Sequence, residues 1–370
     1  MEGDFPSVII TTAVTVAAAV GVGVIGAQQL LRPRETVAAG DNDDGVWHNG
    51  GDGDSPENRE AARLLTDIQT RIHGAPFRDQ LRVAREVIDE GVPGTPDTYE
   101  LGVDIVETDI DGMRAEWVLA PGSRTDCRLL YLHGGAFALG SARSHRLLTA
   151  SLAREAKIAV LAINYRLMPE FNRLDGVEDC QKAYLWMLAN GPEGPSPARH
   201  TFVAGDSAGG NLALTLIAWL RDEGHRQVDR AIAICPNTDA TGESDSLQRN
   251  MASDQMLGQG FVGKFVRLPR TLARAAIYAS TRRRPDDPVL SPVYGDLSRL
   301  PPTLLQASDT EMLLDDARRW YTKARAHGTD ARLELYGGMI HVWHLFAHVL
   351  PEGIDATRRI ARFIEEGISD

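Results

Sequence analysis

The residues best suited to chemistry surround Ser207, at the apex of the pentapeptide Gly205–Gly209. An apolar run over 201–204 precedes it, and a helix-forming run follows from Asn211. This pattern predicts a strand, a sharp turn and a helix. The glycines leave room for the turn, because a Cβ there would clash with the neighbouring strand and helix. The serine hydroxyl would project at the positive end of a helix, where it can act as a nucleophile.

A serine nucleophile needs a base and a carboxylate that orients the base, and both follow the serine along the chain in sites of this kind. His327, His341, His344 and His348 follow a suitable acid. Among them, His341 comes after a predicted strand and two glycines, on a loop that can reach Ser207. The acid belongs on the loop after the strand over 303–307, where Asp309 and Glu311 are both candidates. Spacing alone does not separate the two.

A second segment offers backbone N–H groups. His133, Gly134 and Gly135 end another predicted strand, and the two glycines let their N–H groups point into a cavity. Acyl transfer requires such donors where negative charge develops on the carbonyl oxygen. The N–H of Ala208, directly after the serine, is the third predicted donor. His133 and Asp206 are interpreted as supports of these turns rather than as reacting groups.

Strands and helices alternate over most of the chain. The predicted strands are Arg114–Leu119, Arg128–Leu132, Ile158–Asn164, Thr201–Ala204, Ala231–Cys235, Thr303–Ala307 and Arg332–Tyr336. The predicted helices between and after them are His145–Glu155, Gly176–Asn190, Asn211–Glu223, Leu313–His327 and Ile354–Glu366. The alternation predicts a mostly parallel, doubly wound α/β sheet. Two further helices are predicted upstream, from Ser55 and over 81–90, and an amphipathic insert interrupts the pattern at about 244–280.

Composition limits the class of protein. The chain has 370 residues, 43% hydrophobic and 24% charged, which is an ordinary globular composition and a length sufficient for one large α/β domain or two small ones. Its formal net charge of −12 makes nucleic acid an unsuitable partner. The cysteines Cys127, Cys180 and Cys235 are far apart, so they predict neither a disulfide framework nor a zinc site, and they fit a reducing compartment.

The N-terminal region predicts a membrane anchor. Residues 8–31 contain no charged side chain and are long enough to cross a bilayer. Basic Arg32 and Arg34 follow the run, and acidic Glu2 and Asp4 precede it, which places the rest of the chain on the cytoplasmic side. The alternative is a soluble cytoplasmic protein in which this run is a buried helix.

Residues 32–54 are rich in glycine and acidic residues and predict a flexible linker. The folded domain is then expected over residues 55–370. A linker of this kind also implies that activity does not depend on the anchor.

Taken together, these segments resemble the bacterial hormone-sensitive-lipase-like esterases, from about Trp117 to the C-terminus. The matching motifs are His133–Gly135, Gly140-Ser141, Tyr165–Glu170, Gly205–Asn211, Pro288–Leu300, Glu311–Asp316 and Met339–Val342. The resemblance implies an α/β-hydrolase fold, with Glu311 as the acid and Asp309 as the fallback. It also implies that residues 55–95 and about 244–280 form a helical cap over the acyl pocket. Ala136 departs from the pattern, because the family has a third glycine there.

The residues and the resemblance predict a serine carboxylic-ester hydrolase for short-chain acyl esters. Ser207 would form an acyl-enzyme, His341 would move the proton and Glu311 would orient His341. No metal or cofactor is expected; the partner is a small-molecule ester, and a homodimer is left open. The alternatives are a lactone or acetylated-metabolite hydrolase, and a non-catalytic ligand receptor on the same fold. Gibberellin receptors are of the latter kind and lack the catalytic histidine found here at position 341.

Overall fold

The computed structural model describes residues 31–40, 46–96 and 100–369. The strands are β1 (Val46–Asn49), β2 (Asp104–Ile110), β3 (Met113–Leu119), β4 (Arg124–Leu132), β5 (Ile158–Ile163), β6 (Asn190–Gly191), β7 (Gly194–Pro195), β8 (His200–Asp206), β9 (Arg230–Ile234), β10 (Thr303–Ser308) and β11 (Ala331–Tyr336). The α-helices are α1 (Pro56–His73), α2 (Gln80–Asp89), α3 (Arg146–Ala156), α4 (Arg173–Ala189), α5 (Ala208–Asp222), α6 (Ser246–Arg249), α7 (Phe261–Val266), α8 (Arg270–Thr281), α9 (Leu314–Ala326) and α10 (Pro351–Ser369).

Nine of the described strands form one sheet in the order β1-β11-β10-β9-β8-β4-β5-β3-β2. In this order across the sheet, the first seven strands, β1-β11-β10-β9-β8-β4-β5, are all parallel to their neighbours. The last two are antiparallel: β3 to β5, and β2 to β3. Buried side chains of α3 and α10 cover one face, and those of α4, α5 and α9 cover the other. The predicted mostly parallel, doubly wound sheet is therefore confirmed.

The central strands β5 and β8 are buried along nearly their whole length because helices cover both faces of the sheet. All six residues of β5 are buried, and so are six of the seven residues of β8. By contrast, six of the seven residues of β2, at the edge of the sheet, are exposed or only partly buried. Sequence periodicity did not reveal β2, because its acidic side chains and open face make it similar to a surface loop.

The predicted linker differs from the structure. Residues 46–49 form β1, which pairs in parallel with β11 at the opposite edge of the sheet. Trp47 packs edge-on against Tyr336, and the Arg359 guanidinium lies 3.6 Å from the centre of the Trp47 ring. The glycines and aspartates around this short strand hid its one aromatic anchor from a composition-based prediction.

The preceding residues are also held by the domain. The Arg34 N–H donates to Asp286, and the Ala39 carbonyl accepts from the Thr322 hydroxyl. The Arg319 guanidinium donates to the carbonyl of residue 37. Residues 34–39 therefore contact α9 and the loop that contains Asp286 instead of hanging free.

No helix within the described ranges is both long and apolar enough to cross a membrane. The predicted anchor over residues 8–31 lies outside those ranges except for Leu31, so it stays a prediction.

The helices assigned to the cap lie in two parts of the chain. Ser55 caps α1, its hydroxyl accepting from the Asn58 N–H, and Pro56 is the first helical residue. The two parts meet where the Gln69 side chain donates to the carbonyl of Gln255. The boundaries 55–95 and 244–280 as one functional cap remain a prediction.

Candidate active site

Ser207 lies in a sharp turn between β8 and α5, as its sequence context predicts. Its backbone has φ 53° and ψ −113°, outside the usual range for a residue with a side chain. A Cβ on Gly205 would lie 2.3 Å from the Gly209 carbonyl oxygen, and one on Gly209 would lie 1.8 Å from that of Leu132. Only glycine fits at these two positions. The strain at Ser207, on the order of 1–3 kcal/mol, is sustained because the surrounding backbone fixes the turn.

Ser207, His341 and Glu311 form one hydrogen-bonded chain. Ser207 Oγ lies 2.9 Å from His341 Nε2, and His341 Nδ1 lies 2.5 Å from Glu311 Oε2. His341 and Glu311 are buried, whereas Ser207 is partly exposed. The other carboxylate oxygen of Glu311 accepts the Ser308 N–H at 2.9 Å. The carboxylate is therefore held in place from both sides.

The electrostatics of His341 are set by Glu311. Burial alone would lower the pKa of His341, but the hydrogen bond and negative charge of Glu311 outweigh that effect and raise the pKa. The same carboxylate assigns the proton to Nδ1, which leaves Nε2 to accept the proton of the Ser207 hydroxyl.

Asp309, the fallback acid, faces a different group. Its side chain is exposed, and Oδ1 accepts the Gly338 N–H at 2.8 Å. The structure thus brings Glu311, and not Asp309, to His341. Asp309 instead holds the loop that carries His341, residues 337–342, here called the histidine loop.

Two hydroxyls fasten the same loop from the end of β10. Ser308 Oγ and Thr310 Oγ1 both donate to the Met339 carbonyl, at 2.6 and 3.0 Å. Further along, the Val342 N–H donates to Cys235 Sγ at 3.4 Å. His341 is therefore flanked by fixed backbone on both sides.

Cys235 completes the only cluster of metal-ligand types found among the described residues. Its Sγ, an oxygen of Glu311 and a nitrogen of His341 lie within 4.8 Å of one another. Burial and the charge of Glu311 raise the pKa of the Cys235 thiol well above its ordinary value. The His341 and Glu311 atoms of this cluster are already bonded to each other and to Ser207 and Ser308, so we assign the cluster to the proton-transfer chain and not to a metal.

The loop over residues 133–137 differs in one respect from the prediction. The Gly134 N–H, expected to be a free donor, instead donates to Asp206 Oδ1 at 3.0 Å. Only glycine allows the backbone to come this close to Asp206, since a Cβ on Gly134 would lie 2.1 Å from the other oxygen of this carboxylate. Among the described residues, the N–H groups of Gly135, Ala136 and Ala208 have no protein acceptor.

Asp206 occupies the junction between the turn and this loop. It also accepts the Tyr131 hydroxyl at 2.6 Å and lies 3.3 Å from His145 Nε2. Burial would raise the pKa of Asp206, but the charge and hydrogen bond of His145, together with the Tyr131 bond, lower it to about 2. Asp206 is therefore an ionised support placed behind Ser207.

His133 is a second support. Its ring stacks on Tyr165 with centroids 4.2 Å apart, and Nδ1 lies 2.7 Å from the Gly134 carbonyl. Burial lowers the pKa of His133 to about 3, so the ring is neutral. It braces the loop and is not placed to take a proton from Ser207.

Sequence reasoning missed two residues of the insert that hold the acid loop. The Asn250 side chain donates to the Glu311 carbonyl at 2.8 Å and to the Asp309 carbonyl at 3.0 Å. Asp254 is buried and accepts the Met312 N–H at 2.8 Å. The only signal was their place in an insert, because no local motif marks an asparagine that contacts a loop about 60 residues away.

This geometry supports acyl transfer by a serine. A neutral imidazole can take the hydroxyl proton, a carboxylate can stabilise the imidazolium, and unpaired N–H groups lie on the loop beside the serine and at the start of α5.

Comparison with known proteins agrees with this arrangement. A family model described as the alpha/beta hydrolase fold matches residues 129–345. The segment that contains β1 lies before the matched residues. An acetyl-hydrolase of Streptomyces hygroscopicus is 39% identical over 250 residues, which cover 68% of this chain and 79% of that protein. An esterase of Acinetobacter venetianus is 32% identical over 252 residues, 68% of this chain and 78% of its own length.

Among solved structures, a crystal structure of an esterase from the bacterial hormone-sensitive lipase family superimposes with a TM-score of 0.73. It shares 35% sequence identity, and the match covers 85% of this chain and 99% of that one.

Replacing the acid tests the geometry directly. Glu311→Gln should lower kcat by about 10³- to 10⁴-fold, because an amide neither stabilises the imidazolium nor fixes its tautomer. The acid limb of kcat/KM should move to lower pH, since the charge that raises the pKa of His341 is removed. Steady-state rates across pH measure both effects.

Asp309→Asn is the matched control. Its amide oxygen still accepts the Gly338 N–H, so the variant should keep most of its activity and its pH profile. The opposite ranking of the two variants would move the acid role to Asp309.

Proposed function

The chain belongs to the α/β-hydrolase family, as an esterase of the bacterial hormone-sensitive-lipase type, and we propose that it cleaves short-chain acyl esters through an acyl-enzyme on Ser207. It is a carboxylic-ester hydrolase. The observation that carries the proposal is the continuous hydrogen-bonded chain from Ser207 through His341 to the buried carboxylate of Glu311. The relative named as an acetyl-hydrolase supports a small acyl group.

In the first half of the reaction, His341 Nε2 takes the proton of Ser207 as Oγ attacks the ester carbonyl carbon. The carbonyl π electrons move to the oxygen, which becomes an oxyanion. When the tetrahedral intermediate collapses, the bond to the alcohol oxygen breaks, and His341 donates its proton to that oxygen. The alcohol leaves, and the acyl group remains on Ser207.

The second half repeats these steps with water. His341 removes a proton from water as it attacks the acyl carbonyl, and later returns that proton to Ser207 Oγ. Glu311 stays ionised throughout and stabilises the imidazolium that forms twice in each cycle.

The proposed oxyanion donors are the N–H groups of Gly135, Ala136 and Ala208. Ala136 replaces Gly134 in this role, since the Gly134 N–H is already bonded to Asp206. Gly135 has φ 112° and Ala136 φ 53°, so two consecutive residues of this loop have positive φ values that extended strand backbone does not adopt. Each donor of this type contributes a factor of about 10²–10³ to kcat in serine hydrolysis.

Ser207→Ala should remove ester hydrolysis almost completely, by on the order of a million-fold in kcat. The methyl group leaves the turn intact, so the variant should unfold at a similar temperature. Hydrolysis of nitrophenyl acetate by both proteins measures the loss. A variant with a rate comparable to that of the unchanged chain would contradict the nucleophile assignment, and a chain inactive towards every ester would favour the receptor alternative.

The proposed cap, residues 55–95 and about 244–280, covers a compact acyl pocket, so short chains should be preferred. We expect acetyl and butyryl nitrophenyl esters to give a higher kcat/KM than palmitoyl esters, since a long chain has to displace the cap. Faster turnover of palmitoyl esters would indicate a lipase instead. An acetylated metabolite or a lactone that outperforms acetyl nitrophenyl ester would identify one of the alternative substrates.

Residues 8–31 are proposed as a membrane anchor on the basis of their sequence. The full-length protein should then sediment with membranes until detergent is added. A chain without residues 1–30 should stay in the supernatant with unchanged kcat, because the cut spares the contacts of Arg32 and Arg34 with the domain. Release of the full-length chain without detergent would contradict the anchor, and cleavage by external protease in intact cells would contradict the cytoplasmic orientation.

A further inference from the structure

The segment before α1 contacts the loop that carries His341. β1 pairs with β11 up to the pair Asn49 and Tyr336, which is the last residue of β11. At the next residue, the Gly337 N–H donates to the Asn49 carbonyl at 3.0 Å. The pairing therefore extends past the strand and into the histidine loop, four residues before His341.

The two backbones then approach at distances that exclude side chains. A Cβ on Gly51 would lie 2.5 Å from the Gly337 carbonyl oxygen and 3.1 Å from Met339 Cε. A Cβ on Gly338 would lie 2.6 Å from Gly53 Cα. Residues 51–53 thus form a wall against the first three residues of the histidine loop.

This wall is itself fixed to the start of α1. The Asn58 side chain donates to the Asp52 carbonyl at 2.9 Å, and the same nitrogen lies 4.0 Å from Met339 Sδ. Asn58 and Met339 are both buried. The contacts therefore join α1, residues 51–53 and the histidine loop into one packed unit.

On its other side the loop is held by groups at the end of β10. Asp309 accepts the Gly338 N–H, while Ser308 and Thr310 donate to the Met339 carbonyl. The histidine loop thus lies between β10 and residues 49–53. Since Gly337 and Gly338 have little rotational restriction of their own, their position depends on the contacts with β10 on one side and with residues 49–53 on the other.

We infer that residues 46–53, the N-terminal strap, position His341 for catalysis, with Gly51 and Gly53 as the positioning residues. This inference rests on the proposed role of His341 as the base. The strap touches neither substrate nor reacting atoms; it acts through the histidine loop. Its effect on the rate follows from the geometry, because Nε2 has to stay within hydrogen-bond reach of Ser207 Oγ while Nδ1 stays bonded to Glu311.

The chain supplies a matched pair of substitutions in the full-length protein. Gly51→Ala places a methyl group against the Gly337 carbonyl, whereas Gly50→Ala has no atom within 4 Å of its added Cβ. Neither glycine has a positive φ, so alanine suits both backbones. A displacement of about 1 Å in a catalytic group can cost 100-fold in rate, so we expect Gly51→Ala to lower kcat by roughly 10- to 100-fold. Gly50→Ala should leave kcat unchanged.

Two readouts separate positioning from a loss of folded protein. Rates are expressed per active serine, titrated with a serine-reactive phosphonate, so that unfolded molecules do not count. In Gly51→Ala the acid limb of kcat/KM should also move to lower pH, because a looser contact with Glu311 raises the pKa of His341 less. Gly50→Ala should retain the original profile.

Equal kcat per titrated serine and equal acid limbs in the two variants would overturn the inference. If Gly51→Ala does not fold, Gly53→Ala decides in its place. Its Cβ would lie 3.2 Å from Gly338 Cα, a milder displacement, and a kcat per titrated serine equal to that of Gly50→Ala would overturn the inference. Absence of Ser207-dependent hydrolysis in the unsubstituted chain would refute the proposed function itself, which distinguishes the two failures.

Discussion

The site depends on backbones that approach one another at distances only glycine permits. Gly209 packs against the end of β4, and Gly134, just after β4, packs against the carboxylate of Asp206. These contacts lock the turn that carries Ser207 to the loop that offers its N–H groups. Neither can move alone without a clash or the loss of the Asp206 hydrogen bonds. The nucleophile and its proposed oxyanion donors therefore form one rigid unit, and preorganised donors of this kind are effective because they need no rearrangement during the reaction.

The parallel sheet aligns the remaining groups with this unit. Strand register pairs Asp206 with Ile234, Gln306 with Ile234, and Ser308 with Tyr336, so β8, β9, β10 and β11 end at about the same level. The serine, the acid loop and the histidine loop leave the sheet at these ends. This is the general location of sites in open α/β sheets. Burial then strengthens the contact between His341 and Glu311, since little water is present to screen it.

The sequence was sufficient to predict those site residues that lie in a local motif. Ser207 lies in a strand–turn–helix pattern, and His341 follows a strand and a pair of glycines, so both were predicted from their immediate neighbours. Asp309 and Glu311 share one loop, so spacing left both open and only the family resemblance favoured Glu311; the structure places Glu311 Oε2 2.5 Å from His341 Nδ1. The error at Gly134 has the same origin, because the bond from its N–H to Asp206 joins residues 72 positions apart. β1 was missed because four residues among glycines and aspartates carry too little periodicity to indicate a strand.

The two halves of the site differ in how they are held. The serine half is fixed by contacts among β4, β8 and α5, which are buried central elements. The histidine half depends on a glycine-containing loop at one edge of the sheet, secured by Asp309, Ser308 and Thr310 on one side and by residues 49–53 on the other. Edge elements open more readily than central ones, since fewer buried contacts hold them. The distance between Ser207 and His341 is therefore more sensitive to a substitution at this edge than to a substitution of the same size in the core. The N-terminal residues that cover the edge belong to the functional unit.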